Sequence, residues 1–115
     1  MIITLSASGG PPTDQVRDQI RGLITTGQLA AGERLPSVRQ LASDLDVAPG
    51  TIAKAYKALE TEGILETRIG SGTRVGMTAS PTARSVLEAA RKLAAVSHRQ
   101  GVDLDEATRV LRAIW

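Results

Sequence analysis

The chain has 115 residues, with 14 Lys and Arg against 12 Asp and Glu, one His and no Cys. That length holds one domain, or a small domain with an appendage, and about two-thirds of the unfolded surface can be buried at this size. Without cysteine there is no disulfide framework and no thiolate metal site, and no apolar run reaches the roughly 18 residues of a membrane span or forms a signal-peptide core.

Ile2 to Leu5 is short and β-branched, and Ser6 to Pro12 breaks it. From Pro12, Val16, Ile20, Leu23 and Ile24 recur at helical spacing and predict a helix, with Gly27 as its stop. Gly27 to Leu35 reads as a loop. Ser37 with Gln40 forms a capping box, and Val38, Leu41, Ala42 and Leu45 make the short apolar stripe that follows. Asp46 stands where the chain must turn, in the left-handed region that Asp tolerates. Pro49 suits the first position of a third helix, whose stripe is Ile52, Ala55, Tyr56 and Leu59 and whose stop is Gly63. Two short helices joined by a tight turn, after a longer one, make a tri-helical helix-turn-helix unit.

After Gly63 the period changes. Ile64–Ile69 and Thr73–Val75 read as strands flanking Gly70-Ser71-Gly72, a hairpin placed as the wing of a winged helix-turn-helix. Gly76 to Ser80 reads as a linker, and Ser80 as the cap of a helix with Pro81 in its first turn, running to about Gln100. Val86, Ala90, Leu93 and Ala94 line one face of it, widened by Leu87 and Val96. Gly101 breaks it, Asp103 with Glu106 caps the next, and Leu104, Ala107, Val110, Leu111 and Ile114 form the last stripe. The expected fold is mainly α with a small β-hairpin wing: a winged helix-turn-helix over 1–76 and a two-helix segment over 77–115.

Two helices of this size cannot bury both the Leu87/Leu93 stripe and the Leu104/Val110/Leu111/Ile114 stripe. A second copy of the same segment is the simplest cover, so a homodimer with an isologous interface is expected.

Residues 1–76 hold eight basic and eight acidic side chains, and the remainder carries the net charge of +2. A nucleic-acid reading therefore rests on where charges point rather than on their sum. The only aromatics, Tyr56 and Trp115, argue against a base-stacking platform for single strands or RNA.

GQLAAGERLPSVRQLA (27–42), APGTIAKAYKALETEGILE (48–66) and GSGT (70–73) together resemble the GntR family of bacterial transcription regulators. The resemblance covers roughly residues 10–76. Pro49-Gly50-Thr51 with Lys54, Ala55 and Tyr56, and the short tail, are similar to the YtrA-like branch of small dimeric repressors. The resemblance implies a transcriptional regulator on double-stranded DNA that answers to an unidentified small-molecule effector; two-fold symmetry of the dimer predicts an inverted-repeat site, and the composition implies the cytoplasm and no membrane partner.

The residues expected at DNA follow from that frame. Ser37 caps its helix, and the same helix N-terminus offers free N–H groups to a phosphate. Arg39, one turn in and off the stripe, has the planar fork for phosphate or guanine. Pro49 and Gly50 open the recognition helix; Thr51 and Lys54 are the base-edge residues and Lys57 a phosphate contact. Arg68, Gly70, Ser71, Gly72 and Thr73 form the wing that approaches the minor groove, with Arg68 or Arg74 beside the tip for phosphates. The bland readings stand beside these: a cap, a solvated lysine face and a plain hairpin turn.

The sequence also departs from the family. Arginines that many members carry at the positions of Pro49 and Ala53 are absent here, and Ala48 replaces a capping side chain. Recognition weighted toward phosphates and DNA shape is therefore expected. No catalytic constellation, cofactor or metal site is expected: His98 is the lone imidazole, and Asp103, Asp105 and Glu106 are explained by capping and the helix dipole. The alternative function is a protein-interaction adaptor that presents the third helix to a protein.

Overall fold

The computed structural model describes residues 1–70 and 72–115, so the Ser71 assigned to the wing tip lies outside the described residues. The chain divides into two compact units, Met1–Pro81 and Thr82–Trp115. The first holds α1 (Pro12–Thr25), α2 (Val38–Leu45), α3 (Pro49–Thr61) and the strands β1 (Leu65–Arg68) and β2 (Gly72–Val75). The second holds α4 (Arg84–Gln100) and α5 (Leu104–Ile114).

The helical stripes become the core of the first unit. Val16 and Ile20 of α1, Ile52 and Leu59 of α3 and Val75 of β2 are its most completely enclosed large side chains. Each contributes about 1.5–3 kcal/mol relative to exposure. Leu41 and Ala42 of α2 join them, with Val38 and Leu45 packed at the margin.

Local signals end the helices where expected. After α2, Asp46 takes φ 55°, and Val47 N–H reaches back to the Ala42 carbonyl at 3.0 Å, a Schellman closure that sets the tight turn. Gly63 at φ 78° repeats the device after α3, with Ile64 N–H on the Leu59 carbonyl at 2.9 Å. Pro49 is in the first turn of α3, and Ala48 before it offers no side-chain cap.

Near the N-terminus Ile3 enters the core, and the Gln19 side chain imitates a strand partner, accepting from Thr4 N–H at 3.0 Å and donating to the Thr4 carbonyl at 2.7 Å. Several expectations are corrected. The capping box is half made. Ser37 Oγ accepts from Gln40 N–H at 3.1 Å, whereas the Gln40 amide turns down the helix to Asp44 at 2.8 Å. Ser80 does not cap α4, which begins at Arg84 after an extended Ala83; Pro81 instead lies over Gly27. Nor is the Gly76–Ser80 stretch free throughout, because Gly76 is buried and Ala79 packs on the core.

The loop before α2 is also more than a loop. β1 and β2 pair antiparallel, Leu65 opposite Val75 and Arg68 opposite Gly72. Arg34 then bridges Arg74 on the free edge of β2. Leu35 N–H donates to the Thr73 carbonyl and Val75 N–H to the Glu33 carbonyl, both at 2.8 Å. The wing is therefore backed by a third extended segment.

In the second unit, α4 stops at Gly101 (φ 70°), and Asp103 caps α5 by accepting from Glu106 N–H at 2.8 Å. Ser97 is the buried side chain of this unit among the described residues.

Candidate nucleic-acid interface

The helix-turn-helix is locked from inside. Tyr56, 3% exposed, packs between α2 and α3, and its hydroxyl donates to the Pro36 carbonyl at 2.8 Å. Burial pushes this phenol up to about 12. Through that bond the start of α2, with Ser37 and Arg39, is referenced to the middle of α3.

Ser37 and Arg39 are both exposed at the N-terminal turn of α2. On α3 the open face is Pro49, Gly50, Ala53, Lys54, Lys57 and Thr61. Thr51 sits at its margin: the residue is half-buried, and its carbonyl accepts from Thr13 Oγ1 of α1 at 3.1 Å. Ala58 is half-buried as well. Polar groups for direct base readout on α3 thus reduce to Lys54 and the edge of Thr51.

The wing is joined to α3 through Thr67, whose hydroxyl bonds both the Glu60 carboxylate and, at 3.3 Å, Thr73 Oγ1. Gly70 and Arg68 are exposed, and Gly72 and Thr73 are half-buried. Gly70 and Gly72 take φ 81° and 72°, the left-handed region that glycine enters without strain.

Charge placement distinguishes this surface where net charge does not. Arg17 pairs with Asp14 and Asp18 at 3.3 and 3.1 Å, and Nη2 of Arg21 donates to both carboxylate oxygens of Glu62 at 2.9 and 2.6 Å. Among the described residues, Arg39, Lys54 and Lys57 have no carboxylate within 4.0 Å. A unit of balanced formal charge therefore pairs the arginines of α1 with carboxylates and leaves Arg39 of α2 and Lys54 and Lys57 of α3 among its uncompensated cations, the arrangement that a polyanion needs.

Arg34 was missed by sequence reasoning. Exposed on the segment beside β2, it lays its guanidinium against Gly72. Its only signal was a basic residue before Leu35-Pro36, in a stretch whose strand pairing is not local.

The residues expected at a dimer interface all lie in the second unit. Leu104, Val110, Leu111 and Ile114 are exposed, while Leu87 and Leu93 are half-buried. Leu93, Leu104 and Leu111 line an apolar cleft of about 260 Å³ between α4 and α5, shared with His98 and Thr108. Among the described residues no helix is long and apolar enough to cross a membrane.

Comparison with known proteins agrees with this geometry. The model of the bacterial regulatory proteins of the gntR family matches residues 12–75. The chain is 35% identical over 112 residues to the HTH-type transcriptional repressor YtrA of Bacillus subtilis, covering 93% of this chain and 86% of that protein. The structure of YtrA from Sulfolobus acidocaldarius, a GntR-family transcription factor, superimposes with a TM-score of 0.61 at 36% identity, over 84% of this chain and all of the other. The DNA-binding domain of AraR in complex with operator ORX1 superimposes with a TM-score of 0.56 at 29% identity, over 66% of this chain and 92% of that one.

Proposed function

Because this chain belongs to the GntR family of bacterial regulatory proteins and is a transcriptional regulator with a winged DNA-binding domain, we propose that it binds an inverted-repeat operator as a homodimer and represses transcription there. The observation that carries the dimer is the face of α5: Leu104 is 80% exposed, Ile114 76%, Val110 51% and Leu111 41%. A capped helix that presents such a stripe to water lacks a partner, and a second copy of the tail supplies one by isologous contact. Two-fold symmetry of the protein then requires two-fold symmetry of the site, with half-sites one or more helical turns apart.

On each half-site, α3 enters the major groove with Pro49, Gly50, Thr51 and Lys54 at the bases and Lys57 on a phosphate. Ser37 and Arg39 hold the backbone at the start of α2, and Arg68, Gly70, Gly72 and Thr73 bring the wing to the adjacent groove. With Ala53 small and Thr51 half-covered, phosphates and DNA shape carry much of the recognition.

Repression is supported by the name of the Bacillus subtilis relative, a transcriptional repressor. Its mechanism is occlusion of a promoter in the cytoplasm. A small molecule that alters the tail shifts the placement of the two winged domains, and fixed half-site spacing turns that shift into release.

The test is a fluorescence-anisotropy titration of the full chain on duplex DNA from upstream of its own gene, beside a scrambled duplex, at two salt concentrations. Selective binding that weakens about 10³-fold or more between roughly 50 and 200 mM salt supports the reading. No binding at low salt to either duplex overturns it and favours the protein-interaction adaptor.

A further inference from the structure

We propose that Arg34 is a DNA-backbone contact of the wing, a cation delivered to the hairpin tip by the segment before α2 rather than by the hairpin itself. The proposal rests on the DNA-binding reading above. In the register of the wing, Arg34 lies opposite Arg74, Arg74 opposite Glu66, and Gly72 opposite Arg68. Side chains alternate along extended chain, so these residues share one face while Leu65 and Val75 point into the core. That outer face holds three guanidinium groups, of Arg34, Arg68 and Arg74, against the single carboxylate of Glu66.

The three arginines are not equivalent. Arg74 is half-buried and spends a donor on the Gly32 carbonyl at 3.3 Å. Arg68 lies 3.6 Å from Glu66. Arg34 is exposed and, among the described residues, has no carboxylate within 4.0 Å. Its guanidinium rests where a side chain at Gly72 would begin: a Cβ there would stand 3.3 Å from both Nε and Nη2 of Arg34. Glycine at 72 thus meets a left-handed φ and clears the seat of a cation.

The seat is also stiff. Backbone bonds on either side of Arg34, Leu35 N–H to the Thr73 carbonyl and Val75 N–H to the Glu33 carbonyl, hold its segment to β2. A planar fork on a held segment loses little entropy on meeting a phosphate, which it can grip with two donors.

The experiment compares Arg34→Gln and Arg34→Lys with the parent chain on the same two duplexes, by anisotropy across a salt series. Arg34→Gln is expected to weaken both duplexes by a similar factor, about tenfold at low salt, and to lower the slope of log K against log salt by about one. Arg34→Lys restores the slope. Arg17→Ala, on the ion-paired surface of α1, changes neither, and circular dichroism checks that each variant is folded. Parental affinity and slope in Arg34→Gln, while Lys57→Ala loses binding, would overturn the proposal and leave the DNA-binding reading standing. A loss on one duplex only would also overturn it, by making Arg34 a base reader. A parent chain that binds neither duplex removes the functional reading itself.

Discussion

The Tyr56 hydroxyl donates to the carbonyl oxygen of Pro36 at 2.8 Å, across 20 residues of sequence. One bond thereby joins the middle of the recognition helix to the residue before the α2 cap. The two helices are thus joined by a part-buried polar contact as well as by the core residues Leu41, Ala42, Ile52 and Ala55.

Replacing Tyr56 by Phe keeps the ring and removes that bond. We expect a loss of about 1 kcal/mol, seen as a melting temperature lower by about 4–8 °C. The variant also removes a pH dependence. An unfolded phenol titrates near 10 and the native one only at about 12, so between those values the native state binds more protons. Stability from this group is complete below about pH 10 and is lost as pH rises toward 12. Urea unfolding from neutral to about pH 12 should show the parent and Tyr56→Phe curves converging; parallel curves would refute the assignment.

On α3 the open lysines and the half-covered threonine should behave differently. Lys57→Ala is expected to weaken operator and scrambled duplexes alike and to lower the salt slope by about one, whereas Thr51→Ala or Lys54→Ala reduces the ratio between the two duplexes, by about 1–3 kcal/mol for a good base contact. Identical behaviour of all three in the anisotropy series would erase the division into base and phosphate contacts.

The tail prediction is one of mass. Leu111→Asp places a carboxylate in the apolar cleft that Leu111 shares with Leu93 and Leu104. Light scattering should give a dimer for the parent and half that mass for the variant. A variant that stays dimeric would locate the interface elsewhere.

Gly76 tests whether the chain leaving the wing is really held. A Cβ at this position would stand 2.9 Å from the Gly63 carbonyl oxygen and 3.2 Å from that of Ile64. The latter carbonyl also accepts the Gly76 N–H at 2.8 Å, so backbone must shift. Gly76→Ala should cost about 1–3 kcal/mol of stability, read as a lower urea midpoint with unchanged slope. An unaltered midpoint would mean that the segment yields freely.

The sequence by itself determined what depends on neighbours along the chain. Period-3.6 stripes marked α1 to α5, because every residue of a stripe lies within a turn or two of the next. Asp46 and Gly63 marked the stops, because a left-handed residue after a helix is a local demand, and Ser37 and Asp103 marked caps for the same reason. The surface of α3 was legible at Lys54 and Lys57, which follow from the stripe by subtraction.

Tertiary structure alone decided the rest. That the Gly27–Leu35 loop bridges β2 at Arg34 depends on β2 returning some 40 residues later to offer its edge, and nothing near Arg34 announces that return. Gln40 had a choice between the Ser37 N–H and Asp44, and took the carboxylate a turn away. Pro81, expected in the first turn of a helix, lies against Gly27, a contact between residues more than 50 positions apart. The uncompensated cations of α2 and α3 emerge only once α1 has paired its arginines with Asp14, Asp18 and Glu62, and the last of these is supplied by the residue that ends α3. Composition counts charges; only the folded chain determines which of them are still free to meet DNA.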